Sequence, residues 1–167
     1  TFYPGKIIKK CLASLPLTSE IIIIDNGEDP ELEKIIKLQK HKIKHYKVGD
    51  VGLSKSFNIA LAKSKNENIL ITQPDVCFEK NSIINLVKAQ KKYTKAGIIS
   101  PLLFEKNKYS QYDYLDLSLS KLGTLENKRR PKKVSMFPSG DICVEAVNAT
   151  AMLIKKSIIK KINGWDE

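Results

Sequence analysis

Three short stretches of this chain carry residue types able to do chemistry. Asp25 ends the run Ile21 to Ile24 and is followed by Asn26 and Gly27. A carboxylate there can accept hydrogen bonds from a base or a ribose, or simply close an Asp-Asn-Gly turn with no ligand at all. Gln73-Pro74-Asp75-Val76 follows a second apolar run, Asn68 to Thr72. Asp75 can hold Mg²⁺ or Mn²⁺ and, through the ion, a diphosphate; the plainer reading is a turn aspartate. Between them, Gly49-Asp50-Val51-Gly52-Leu53-Ser54 leads into a helix start, whose free amides favour an anion such as phosphate. That stretch is neither a P-loop nor a G-x-G-x-x-G fingerprint, and a flexible turn with a helix cap explains it equally well. Asn58 sits among Ile59, Ala60 and Leu61, either as a ligand contact or as an internal hydrogen-bond partner. His41 and His45, four apart among lysines, read as a solvated pair rather than a metal site. No Ser-His-Asp or Cys-His arrangement has local support.

The elements that must position these residues follow from periodicity. Ile7, Ile8, Cys11, Leu12 and Leu15 recur at helical spacing over residues 6–15. The β-branched run over 20–24 predicts a fully buried strand. Asp29-Pro30-Glu31 opens a helix with a cap, a proline at its first position and acids in its first turn. Residues 43–48 form a weaker strand, Ser54 caps a helix over 55–64, and 68–72 is another buried strand. Asn81 caps an amphipathic helix carrying Ile83, Ile84, Leu86, Val87 and Gln90, and 97–103 is a further strand. Alternating helices and buried strands predict a mostly parallel sheet covered on both faces, with ligands bound beyond the carboxyl ends of its strands. Residues 105–141 break this rhythm with Tyr109, Tyr112, Tyr114 and a basic run from Lys128 to Lys133. Excursions of that length are usually functional or disordered. A strand over 144–154 and a helix over 155–162, closed by Gly164, complete the pattern.

With 167 residues, of which 42% are hydrophobic and 28% charged, the chain is sized for one domain with a real core. No apolar run approaches the ~20 residues of a membrane span. Cys11, Cys77 and Cys143 form no C-x-x-C pair, which argues against zinc or dithiol chemistry and for incidental thiols in a reducing cytosol. The net charge of +11 is nearly all lysine, Arg129 and Arg130 being the only arginines. Nucleic-acid readers concentrate charge and use arginine forks, so an even lysine coat fits a solvated surface, an anionic ligand or an anionic membrane face. The opening Thr1-Phe2-Tyr3-Pro4-Gly5 has no leader character and reads as a cut or processed end.

Taken in order, these pieces resemble the family 2 glycosyltransferases of the GT-A fold. Thr1-Phe2-Tyr3-Pro4 is similar to their T-Y-N-P, and Cys11-Leu12-Ala13-Ser14-Leu15 to C-L-x-S-L. Residues 21–27 are similar to I-I-V-V-D-N-G, and 50–61 to N-x-G-x-A-x-A-x-N-x-G-x. Gln73-Pro74-Asp75-Val76 resembles the N-P-D-V form of the metal-binding D-x-D. Residues 149–154 resemble G-A-x-M-L-I, and Gly164-Trp165-Asp166-Glu167 resembles G-F-D-E. The nearest flavour is the rhamnosyltransferase-like branch of cell-surface polysaccharide synthesis.

The resemblance implies a Rossmann-like, three-layer α/β domain over residues 1–167 that binds a nucleotide sugar, truncated at both ends, with the first strand missing before Thr1. Residues 105–141 would be its variable acceptor-side segment. It implies an inverting sugar transfer to a glycan or lipid-linked acceptor at the cytoplasmic side of a membrane. Thr1, Phe2, Tyr3, Asp25, Gly52, Lys55, Asn58 and Gln73 would border the nucleotide sugar, and Asp75 would hold the Mg²⁺ or Mn²⁺. Gln73 stands where the first acid of D-x-D is expected, leaving one metal carboxylate. The catalytic base of the family lies beyond its G-F-D-E, hence beyond Glu167. Two other readings are a non-catalytic sugar-nucleotide-binding domain and, on charge alone, a nucleic-acid-binding module, which a steep salt slope in binding to DNA or RNA would reveal.

Overall fold

A computed structural model of the chain describes residues 1–103, 117–120, 124–127 and 140–167. A single 3₁₀ turn, Gly5–Ile7, runs into helix α1, Ile8–Ser14. Strand β1, Ile21–Asp25, is followed by α2, Pro30–Lys37, and by β2, Ile43–Lys47. Helix α3, Leu53–Lys63, precedes β3, Asn68–Thr72, and α4, Ser82–Lys92, precedes the short β4, Ile98–Ile99. A small antiparallel hairpin joins β5, Leu117–Leu119, to β6, Leu125–Asn127. Strand β7, Ala151–Lys155, leads directly into α5, Lys156–Lys161.

Strands β1 and β2 pair in parallel, from Ile21 opposite Ile43 to Asp25 opposite Lys47. Strand β7 lies between β3 and β4 and is antiparallel to both. Strands β3 and β4 therefore run the same way without touching. Alternation of helices and strands predicts this shared direction but not the inserted neighbour. The chain closes the ladder only after the excursion beyond residue 103, a pairing with no local signature. Strand β7 is consequently shorter than the expected 144–154, and β4 shrinks from 97–103 to two residues.

The core forms because side chains on a strand alternate between faces. Ile21 and Ile23 bury one face of β1 against Ile8 and Leu12 of α1 and Leu32 and Ile35 of α2. Ile24, on the opposite face, is buried as well, and α3 packs against β1. Helices thus cover both faces of the strand, giving the three expected layers. In β7, Ala151 to Ile154 are all buried, the signature of a central strand.

Helix ends follow local chemistry, with two departures from expectation. Asp29 caps α2, its Oδ1 accepting from the amide of Glu31 at 2.8 Å, with Pro30 at the first helical position. Helix α3 starts at Leu53 rather than 55, and Gly52, at φ 78°, occupies the cap position in place of Ser54. Asn81 does precede α4, but in the left-handed region and without a capping side-chain bond. On α4, Leu86 and Gln90 are buried while Ile84 points to solvent.

Leu32 is fully buried at the junction of α1, α2 and β1, whereas Leu38 is 77% exposed. Leu32→Ala should cost about 2–5 kcal/mol by transfer and cavity terms, and Leu38→Ala no more than about 0.5 kcal/mol. Urea unfolding of both variants measures the difference.

Candidate functional site

The site grows from the carboxyl end of β1. Asp25 has no exposed surface, so both of its carboxylate oxygens need partners. Oδ1 accepts from the amide of Glu28 at 3.0 Å, and Oδ2 lies 3.1 Å from Nε2 of His45 on the neighbouring β2. The first bond folds the Asp-Asn-Gly turn back on itself; the second ties the turn to the parallel strand. His45 is therefore not solvated as its lysine-rich surroundings suggest. His41 also faces the protein, with Nε2 3.0 Å from the carbonyl of Leu15.

Residues 1–3 lie alongside this turn. The nitrogen of Thr1 donates to the carbonyl of Ile24, and the carbonyl of Thr1 accepts from Asn26 at 2.7 Å. These two bonds are the pattern of a parallel bridge opposite Asp25. Tyr3, at φ 41°, lays its ring over Gly27, where a Cβ would stand only 2.8 Å from the ring and from the Tyr3 nitrogen. Gly27 is thus required by close approach. Phe2 and Tyr3 meet edge to face, ring centroids 5.0 Å apart, and are 60% and 61% exposed. Two aromatic faces therefore stand open at the strand end.

Asn26 joins the turn to α3. Its amide donates to the carbonyl of Gly52 at 3.3 Å, and its Oδ1 accepts from the hydroxyl of Ser56 at 2.8 Å. The one hydroxyl proton of Ser56, buried in the first turn of α3, is shared between Asn26 Oδ1 and the carbonyl of Gly52, 2.6 Å away. A glycine cap leaves the first amides of the helix without a side-chain partner, available to an anion. Gly52 and Lys55 are exposed there, and the Lys55 side chain has no ion pair among the described residues.

The third stretch is a turn on the end of β3. Val76 donates to the carbonyl of Gln73 at 3.3 Å, with Pro74 and Asp75 at the two central positions. Proline presets the φ that the first central position needs. Asp75 is exposed, and its carboxylate makes no hydrogen bond or ion pair among the described residues. Gln73 is half-buried, with its amide donating to Thr150 at 3.0 Å. Beneath the turn, burial, with Cys77 and Asp75 nearby, pushes the Cys11 thiol up to about 11, so it is protonated at neutral pH. Among the described residues no three His, Cys, Asp or Glu side chains cluster as a metal cage. Among the described residues the donor at this strand end is the carboxylate of Asp75, which suits a hard cation that takes its remaining ligands from phosphate and water.

Asn58 has the second of its two expected roles. Its Nδ2 donates to the carbonyl of Trp165 at 2.8 Å and to Glu167 at 3.0 Å, and its Oδ1 accepts from the Trp165 amide at 2.9 Å. Gly164, at φ 92°, makes room, since a Cβ there would fall 2.6 Å from the Asn58 oxygen. Phe57 and Trp165 pack edge to face at 5.3 Å. The amide thus clamps α3 to the segment after α5.

Residues 4–158 match the family model described as Glycosyl transferase family 2. The chain belongs to that family. Its fold is that of a GT-A domain: two solved glycosyltransferases superpose over nearly its whole length. A mannosyltransferase from Pyrobaculum calidifontis, solved in complex with GDP-Man and Mn²⁺, gives a TM-score of 0.67 at 11% identity over 99% of this chain and 45% of its own. S. aureus TarS 1-349 gives 0.61 at 16% identity over 100% of this chain and 48% of its own. This chain therefore spans about half the length of those structures. A comparison with curated protein sequences finds no match. Tyr109, Tyr112, Tyr114 and the basic run Lys128 to Lys133 lie outside the described residues. No helix among the described residues is long and apolar enough to cross a membrane.

Trp165 is the single tryptophan and reports on the Asn58 clamp. Asn58→Ala removes three hydrogen bonds and leaves the Trp165 amide and carbonyl without their protein partner. A loss of about 1–3 kcal/mol in stability is expected, with a red shift of the tryptophan emission at unchanged far-UV dichroism.

Proposed function

We propose that this family 2 domain binds a nucleotide sugar at the carboxyl edge of β1 and β3 and serves an inverting sugar transfer. The observation that carries the reading is a set of three features at the ends of β1 and β3 and the start of α3: open aromatic faces at Phe2 and Tyr3, an uncapped helix start at Gly52 with Lys55 beside it, and the carboxylate of Asp75, without a partner among the described residues. Phe2 and Tyr3 border the base and ribose, to which the turn built on Asp25 presents its backbone. The helix-start amides and Lys55 meet the diphosphate. Gln73 and Asp75 flank the same diphosphate from β3, and Asp75 is the residue that would hold Mg²⁺ or Mn²⁺. Such a cation, when bound, neutralises charge that develops on a departing nucleoside diphosphate. Asn58 serves from behind, holding α3 and the Gly164–Glu167 segment in register.

The transfer itself needs an acceptor hydroxyl and a base that takes its proton. We assign the acceptor to a glycan or lipid-linked glycan of cell-surface polysaccharide synthesis, in the rhamnosyltransferase-like manner that the motifs suggest. The exposed Lys160 and Lys161 of α5, with the basic run Lys128 to Lys133, favour an anionic membrane surface on the cytoplasmic side.

Nucleoside diphosphates such as UDP, dTDP or GDP should raise the melting temperature, and more so with Mn²⁺. Ligand at a hundredfold excess over Kd stabilises by about 2.7 kcal/mol, a shift of several degrees. Asp75→Asn should abolish the Mn²⁺-dependent increment and, being exposed, leave the apo melting temperature within about 0.5 kcal/mol of the parent. Absence of any shift at millimolar nucleotide would overturn the reading. For the membrane face, sedimentation with anionic vesicles should exceed that with neutral vesicles and fall with salt; equal, negligible binding to both rejects it.

A further inference from the structure

The turn that carries Asp75 does not stand free: helix α1 holds it from below at both ends. At its start, the thiol of Cys11 points at the carbonyl of Gln73, 3.7 Å away, the range of an S–H donor bond. Just past its end, the amide of Phe78 donates to the hydroxyl oxygen of Ser14 at 3.0 Å. Cys11 and Ser14 are three apart on one face of α1, so one helical turn spans the whole base of the loop. The direction of the second bond is fixed. The Ser14 hydroxyl proton is used on the carbonyl of Cys11 at 2.7 Å, which leaves the oxygen lone pairs facing Phe78. Nothing else among the described residues holds the Asp75 side chain itself. Its position follows from the backbone pins: Thr150 on the Gln73 backbone amide; Val76, Thr72 Oγ1 and Cys11 on the Gln73 carbonyl; and Ser14 on the Phe78 amide, the one pin beyond the turn itself.

We propose that Ser14, assisted by Cys11, is a positioning residue that presets the carboxylate of Asp75 for a divalent cation from the end of α1. The inference rests on the reading that Asp75 binds that cation. A pre-set ligand spares the cation the cost of ordering the loop, so the effect belongs to metal affinity and not to nucleotide contacts made elsewhere. Burial keeps Cys11 protonated and hence a donor at neutral pH.

The test is a Mn²⁺ titration of the protein at saturating UDP or GDP, read by melting temperature, with nucleotide affinity measured separately in EDTA. Ser14→Ala should weaken apparent Mn²⁺ affinity about three- to tenfold, the effect of one hydrogen bond, and leave nucleotide affinity in EDTA unchanged. Ser14→Thr, which keeps the hydroxyl, should restore the parent value. Wild-type Mn²⁺ affinity in Ser14→Ala overturns the proposal, as does an equal loss of binding with and without metal. Asp75→Asn separates the two ideas. Loss of the Mn²⁺ increment there, with none in Ser14→Ala, rejects the positioning role alone; survival of the increment in Asp75→Asn rejects both. Should Ser14→Ala not fold, hydrogen exchange on the unaltered protein decides. The Phe78 amide must be protected well beyond an exposed loop amide, and exchange at the rate of a free loop sinks the proposal.

Discussion

The whole strand-end assembly depends on one buried carboxylate. An aspartate sealed from water at the end of a buried strand is costly unless every oxygen finds a donor. Asp25 finds two, the amide of Glu28 and the ring of His45. The first determines the path of the turn, and that path presents Asn26 to Gly52 and Ser56 and lays Gly27 under Tyr3. The second locks the turn to β2, whose next residues lead to Gly49 and the start of α3. Removing the carboxylate would release the supports of the aromatic pair and of the helix start together. The residue that most resembles a ligand-reading acid is thus first of all the keystone of the scaffold.

Polar side chains on this edge divide into those consumed by the fold and those left over. Asp25, Asn26, Ser56, Asn58 and Asp29 are used internally, Asp29 both as the α2 cap and as acceptor for the Gly5 amide at 3.2 Å. Phe2 and Tyr3 beside the turn after β1, Lys55 at the start of α3 and Asp75 in the turn after β3 remain exposed. Ligand binding needs the second group to be free and the first to be rigid, because an ordered support spares the ligand the entropy of organising its own site. The separation gives the strand ends a shape that needs no ligand to form.

Charge follows a similar division. Several lysines are tied to specific partners on the outer surface: Lys44 to Glu20, Lys47 to Glu33, and Lys156 to the carbonyl of Ser64. The exposed pairs contribute little to stability and are screened by salt. Their hydrogen bonds hold the Glu20 and Glu33 carboxyls below the usual range and raise the lysines. These pairs tie part of the lysine charge to the outer surface, while Lys55 stays exposed in the first turn of α3.

The order and type of the helices and strands in the first hundred residues are legible in the residues themselves, because apolar periodicity and capping chemistry are local; the bounds of β4 and the start of α3 are not. β3 is legible to the residue, and the Asp29-Pro30 start of α2 is as well. The sequence also marked the strand ends bearing Asp25, Gly52 and Asp75 as the edge to inspect. That β7 separates β3 from β4 emerges only from long-range packing, since its partners lie 79 to 87 residues away in β3 and 54 to 56 in β4 and leave no periodic trace. Only the tertiary structure decided, too, that His45 is a partner of Asp25 and not a solvated histidine. A parallel neighbour's side chain can approach a strand end only once register is set. Asn58 and Ser14 acquire their roles the same way. Each is an ordinary polar residue in its own helix, and its meaning comes from a backbone that long-range packing brings to it.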